Sequence, residues 1–180
     1  GISKDSTMQL SFYDASVACY QQILESTAQV LKTGSEHADS AGIALSDIVD
    51  YRLHESMLPF SFQVISTWHH SHGAIQGMRV GEFAPPPDKP GIDYDGLCGL
   101  IDEALDTMSK ESPESMESLS NQKMIFRLGE MEIPFTTDNF LASFSKPNFY
   151  FHATTTYSIL RHMGVPLGKR DFLGNMKMGH

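Results

Sequence analysis

Apolar residues along the chain recur mostly at helical spacing. Val17, Tyr20, Ile23, Leu24, Ala28 and Leu31 step by three and four, which predicts an amphipathic helix of about 20 residues. Ser11 followed by Asp14 resembles a capping box at its start, and Gly34 is the expected stop. Leu45, Ile48, Val49, Tyr51 and Leu53 predict one or two short helical turns. Pro59 opens a second helix running to about residue 80, because a first-turn proline sacrifices no hydrogen bond. Residues 81–92 (GEFAPPPDKPGI) read as a linker. Leu97, Leu100, Ile101, Ala104, Leu105 and Met108 mark a third helix over about 94–110, ended by Ser112-Pro113. The Ser/Glu-rich stretch 109–120 reads as a solvated loop.

At 123–135 the period changes from helical to alternating. Met124, Phe126 and Leu128, then Met131, Ile133 and Phe135, predict one β-hairpin turning at Gly129-Glu130, with Pro134 confining its second strand to an edge. Thr137 or Asp138 caps a last long helix to about 162, closed by Gly164. Pro147 inside it predicts a kink or a shifted start. The fold class is therefore all-α: a four-helix bundle with a small β-hairpin before the last helix. A single domain is expected over 11–174, after a disordered or cloning-derived segment 1–10 and before a tail at 175–180.

Composition narrows the function. With 41% apolar and 10% aromatic residues in 180, the chain can build a core and is not a disordered sequence. The net charge of −9 argues against nucleic acid and against an anionic membrane surface. No apolar run is long enough to span a bilayer, and no secretory signal pattern is visible. Cys19 and Cys98 form no metal-binding spacing. They are expected as two reduced thiols, Cys19 in the core, of a cytoplasmic protein.

The chain has no glycine-rich phosphate cradle, no nucleophile elbow and no HExxH. What stands out is histidine: eight in all, three of them in the window Trp68-His69-His70-Ser71-His72. At about 100° per residue, His69 joins Phe62 and Ile65 on the core side. His72 lies nearby, and His70 points sideways or to solvent. On the last helix Phe144, Asn148, His152, Thr155 and Ile159 share one stripe, so Asn148 and His152 point inward together. His162 falls near the helix end, where it complements the dipole. His37, His54 and His180 have no convergent partner. The expected site is an internal cavity faced by His69, Asn148 and His152, with His72 at its edge.

The last helix, Pro147-Asn148-Phe149-Tyr150-Phe151-His152-Ala153-Thr154-Thr155-Thr156-Tyr157-Ser158-Ile159-Leu160-Arg161 followed by Gly164-Val165-Pro166-Leu167-Gly168-Lys169, resembles the closing signature of a domain-of-unknown-function family grouped with the DinB/YfiT-like four-helix bundles. Ser11-Phe12-Tyr13-Asp14 is similar to its opening. Arg52-Leu53 with Met57, Pro59 and Gln63-Val64 is similar to the entry of its second helix. The matches keep their order from about residue 10 to 174. The wider superfamily holds a divalent metal with one histidine from the second helix and an H-x3-H pair on the fourth, and its activities include metal-dependent thiol transfer and isomerisation. His152 matches the second histidine of that pair, but the first falls on Asn148, a poor substitute at a transition metal. The nearer family tends to carry Asp and Lys where this chain has His69 and His72. The resemblance also leaves room for a homodimer.

The reading that follows is a small-molecule enzyme, of the kind that serves a biosynthetic pathway, performing non-redox acid–base chemistry. Isomerisation, cyclisation or dehydration of a hydrophobic, oxygenated substrate fits. His69 or His152 acts as general base, Asn148 donates to a developing oxyanion, and Tyr13, Trp68, Phe144 and Thr155 line the pocket. It needs no cofactor. One alternative is a Zn²⁺- or Ni²⁺-dependent hydrolase or thiol transferase with His69, His72 and His152 as ligands. Another is a non-enzymatic ligand-binding bundle.

Overall fold

The structure, a computed structural model, describes residues 10–179. The expected N-terminal segment therefore lies, apart from Leu10, outside the described residues, as does His180. The chain is mostly helical with a small three-stranded sheet.

A π-helical turn, Asp14–Ala18, leads into α1 (Cys19–Ala41). Helix α1 runs straight through Gly34 and ends at Gly42, whose φ of 68° is left-handed. Gly34 does a different job from the one its spacing implied. A Cβ there would sit 2.7 Å from Tyr94 Oη, and that hydroxyl donates to Leu31 O at 2.5 Å. The glycine admits a neighbouring helix rather than ending its own.

After the short α2 (Leu45–Val49), α3 (Phe60–Trp68) begins directly behind Pro59. A second π turn, His69–Gly73, joins α3 to α4 (Ala74–Val80) as one rod, closed at Gly81. The proline-rich linker then contributes a strand that the sequence pattern did not show. This β1 (Glu82–Phe83) pairs in parallel with β2 (Lys123–Leu128), which pairs antiparallel with β3 (Met131–Thr136). Two residues carry no alternation to read, so a strand this short is silent in sequence. Pro134 lies opposite Ile125 on the outer strand, where no further partner needs its missing N–H.

Helix α5 (Tyr94–Ser109) is capped by Asp93, which accepts from Gly96 N at 2.8 Å. The Ser/Glu-rich stretch is not all loop. Ser112 and Ser115 form a reciprocal capping box for α6 (Pro113–Glu117), which drives Met116 into the core. Thr136, one residue earlier than expected, caps α7 (Thr137–Asn139); a third π turn, Phe140–Ser145, then leads into α8 (Lys146–His162). Pro147 thus stands in the first turn of a restarted α-helix, where its missing N–H is harmless. The change of pitch comes in the turn before it.

Helix α3 packs against α8 and α5, and α1 packs against α5. The small α9 (Lys169–Leu173) folds back on α1, receiving Gln22 Nε2 on Leu173 O at 2.8 Å and Ser26 Oγ on Phe172 O at 2.6 Å. Two π turns meet in the interior. Ser145 Oγ donates to His70 O at 2.8 Å and bonds Tyr20 Oη at 2.6 Å. Both turns, and the histidines of the first, are thereby tied to α1. Among the described residues no helix is long and apolar enough to cross a membrane.

Candidate functional site

Spacing along α3 decides which imidazoles meet: at about 100° per residue His70, seven positions after Gln63, falls about 20° from it, on the face that meets His152. His70, expected at the side or in solvent, is buried with 6% of its surface exposed. Its ring lies parallel to that of His152, with centroids 6.3 Å apart and planes 11° off. Phe144 meets His70 edge-on at 5.5 Å and Phe83 packs against it at 5.3 Å. The imidazole paired with His152 is that of His70, and not that of His69.

His152 is oriented by a residue that the sequence pattern did not mark as part of a site. Gln63, 4% exposed, accepts a hydrogen bond from His152 Nδ1 at 2.8 Å and donates from Nε2 to Leu58 O at 3.2 Å. The amide can bond both partners in only one orientation. It therefore fixes the proton on Nδ1 of His152 and leaves the lone pair on Nε2. The signal for it was a polar residue inside the apolar run of α3, between Phe60 and Val64. Burial lowers the His152 pKa to about 4. Burial, followed by the neighbouring His69 and His152, lowers that of His70 to about 3. Both rings are thus neutral bases at pH 7. The Nδ1 of His70 is sealed from solvent and has no hydrogen-bond partner among the described residues. An uncompensated nitrogen at such a depth is uncommon and calls for an explanation.

The other sequence-derived residues fall in different places. His69 Nε2 donates to Ala84 O at 2.6 Å, and a Cβ on Gly73 would lie 2.8 Å from its Nδ1. Its ring stacks on Phe83 at 4.4 Å. His69 therefore fastens the linker to the helix. Asn148 Nδ2 donates to Phe144 O within its own helix at 2.8 Å, and Thr155 Oγ1 likewise bonds Phe151 O. Tyr13 packs on the core just before α1. Trp68 gives its indole N–H to Glu103 Oε1 at 2.8 Å and stacks with His72 at 5.3 Å. His72 Nδ1 lies 2.6 Å from Thr107 Oγ1 and its Nε2 lies 3.6 Å from Glu103 Oε1. His162 sits in the last turn of α8 beside Tyr51, as its position implied.

The three imidazoles considered for a metal do not fit one. His69 commits its Nε2 to Ala84 O and its ring to Phe83, and His72 faces α5. Among the described residues no group of three His, Cys, Asp or Glu side chains is placed to hold a metal ion. Cys19 and Cys98 are unpaired. Cys19 is half-buried rather than in the core, with Sγ on Asp14 O at 3.3 Å.

No curated protein matches the chain. A DinB family member protein from Shewanella denitrificans, known from a crystal structure, superposes with a TM-score of 0.77 at 20% identity, over 93% of this chain and 94% of that one. At that identity the likeness is one of fold, and it accords with the DinB-like resemblance of the sequence. Residues 12–173 match the family described as Domain of unknown function (DUF1993), and the chain belongs to that family.

Proposed function

We propose that this DinB-like chain is a four-helix bundle that catalyses non-redox proton transfer on a hydrophobic, oxygenated small molecule, with His152 as base and His70 as its partner. The observation that carries the reading is the pair itself. A buried imidazole with an unpartnered nitrogen lies parallel to a second one whose tautomer is set by Gln63. Neutral His152 accepts the substrate proton at Nε2. Its depressed basicity suits a proton already acidified by an adjacent carbonyl or ring, and the imidazolium so formed is a strong donor for the return step. Holding the His70 proton on Nε2 leaves only a lone pair uncompensated at Nδ1. It also lets a neutral imidazole donate to a developing oxyanion, the role first assigned to Asn148. Donor and acceptor together support isomerisation, cyclisation or dehydration. The unpaired cysteines fit a reducing setting such as the cytoplasm.

The test is untargeted conversion of a metabolite extract, followed by mass spectrometry. The wild type is expected to form a product of unchanged mass or lighter by one water, with a solvent deuteron incorporated in D2O. His152→Gln keeps bulk and hydrogen bonding but cannot cycle a proton, and is expected to lose that conversion. A variant that converts as fast as wild type removes the base from the mechanism. Loss of the conversion on treatment with a chelator, restored by added Zn²⁺, would establish the metal-dependent alternative instead.

A further inference from the structure

The linker that carries β1 continues as a proline-rich strap across α3. It is held at one end by His69 on Ala84 O. At the other, the Lys89 ammonium sits 4.8 Å above the Trp68 ring, an arrangement stabilised by attraction between a cation and an aromatic face. Between strap and helix runs a groove of about 360 Å³, within the range of small-molecule sites. Its walls are apolar: Phe62 and Ile65 on the helix side, Pro86 and Pro87 on the strap. The polar groups among its lining include Lys89 and Asp88. These are unequal. Asp88 is exposed, so water screens it, whereas Lys89 is half-buried and enters no ion pair among the described residues. In a chain of net charge −9 this is a cation held in place without an anion. The Phe62 ring that lines the groove stands edge-on against His152 at 5.7 Å.

We propose that the groove binds an apolar carboxylic acid, its carboxylate on Lys89 and its apolar body along Ile65 and Phe62, pointing towards His152. This rests on the reading of His152 as the reacting base, since it names the class of molecule delivered to it. The strap prolines are pre-set in conformation, so they form one wall at little entropic cost. Ring-bearing acids fit that flat wall and the Phe62 face opposite.

Trp68, the one tryptophan of the chain, reports directly on Lys89. The experiment titrates the protein with phenylbutyrate, its neutral amide and its amine, following tryptophan emission and, independently, heat by calorimetry. The acid is expected to bind and shift Trp68 emission, with the amide about fivefold weaker, as a partly exposed ion pair implies, and the amine weaker still. Lys89→Gln is expected to make acid and amide equal, and Lys89→Arg to restore the preference. Equal binding of acid and amide by the wild type, or no binding of any of the three, overturns the proposal. The two readings fail separately. If His152→Gln loses conversion but the acid preference is missing, only the groove is wrong. If Lys89 selects the acid but His152→Gln retains conversion, the acid-binding groove stands and the base is wrong.

Discussion

Two histidines of one π turn, His70 and His72, live in opposite surroundings. His70 faces inward against Phe83, Phe144 and the parallel ring of His152, with no partner for its Nδ1. His72 faces α5, between the Thr107 hydroxyl and the Glu103 carboxylate, and covers the Trp68 ring. Neighbours of an imidazole decide its use more than its position in a histidine-rich window does. His72 is supplied with a hydroxyl and a counter-charge and closes an edge of the fold. His70 is denied both, so it stays neutral and leaves bonding capacity uncommitted. That difference separates a structural histidine from one available to a substrate.

Acid should act most strongly on the inward-facing pair, His70 and His152. The folded pKa values of His152 and His70, about 4 and about 3, lie below the ordinary value near 6.5. Between those limits the unfolded chain binds more protons than the folded one. Stability is therefore full above about pH 6.5 and falls as the pH drops towards 4 and then 3. The loss falls mostly on His70, whose shift is the larger and whose ring is the more buried, and is measurable by urea denaturation as a function of pH. His70→Phe should flatten part of that slope.

The next effect concerns the anchor of His152. Gln63→Leu removes the acceptor of its Nδ1 proton without opening a cavity, and should cost about 1–3 kcal/mol, the penalty for an orphaned buried donor. His69 gives a smaller break. Gly73→Ala places a Cβ 2.8 Å from its Nδ1, and relieving that contact by loosening the Ala84 bond should cost about 1–2 kcal/mol. Urea midpoints of the two variants rank these effects. Smallest is His72→Phe at neutral pH, which keeps the stack on Trp68 and loses only a half-exposed polar contact. It should lie within about 1 kcal/mol of wild type.

Much of the fold could be read from spacing, because four stretches keep a helical period and one hairpin keeps a period of two. Gly34 shows one limit: spacing presents a glycine that admits Tyr94 as if it were a terminator. Met116 shows another, since one apolar residue among serines and glutamates gives no period yet anchors α6. In the candidate site, His152 could be placed because α8 is regular around it. His70 could not, because residues 63–70 are buried all round, so the stripe of Phe62, Ile65 and His69 marks the inner face no better than the stripe of Gln63 and His70 does. Gln63 was legible as a polar residue in a buried run, but its partner lies 89 residues away, a pairing that periodicity within a helix does not report.

The most direct test of the account is a ¹⁵N-histidine NMR titration of the folded protein, which reads protonation and tautomer ring by ring. His70 and His152 should both remain neutral at pH 5.5, with the proton of His152 on Nδ1. A His152 that protonates near pH 6.5, or that carries its proton on Nε2 when neutral, would contradict the assignment of Nε2 as the proton-accepting atom of the site.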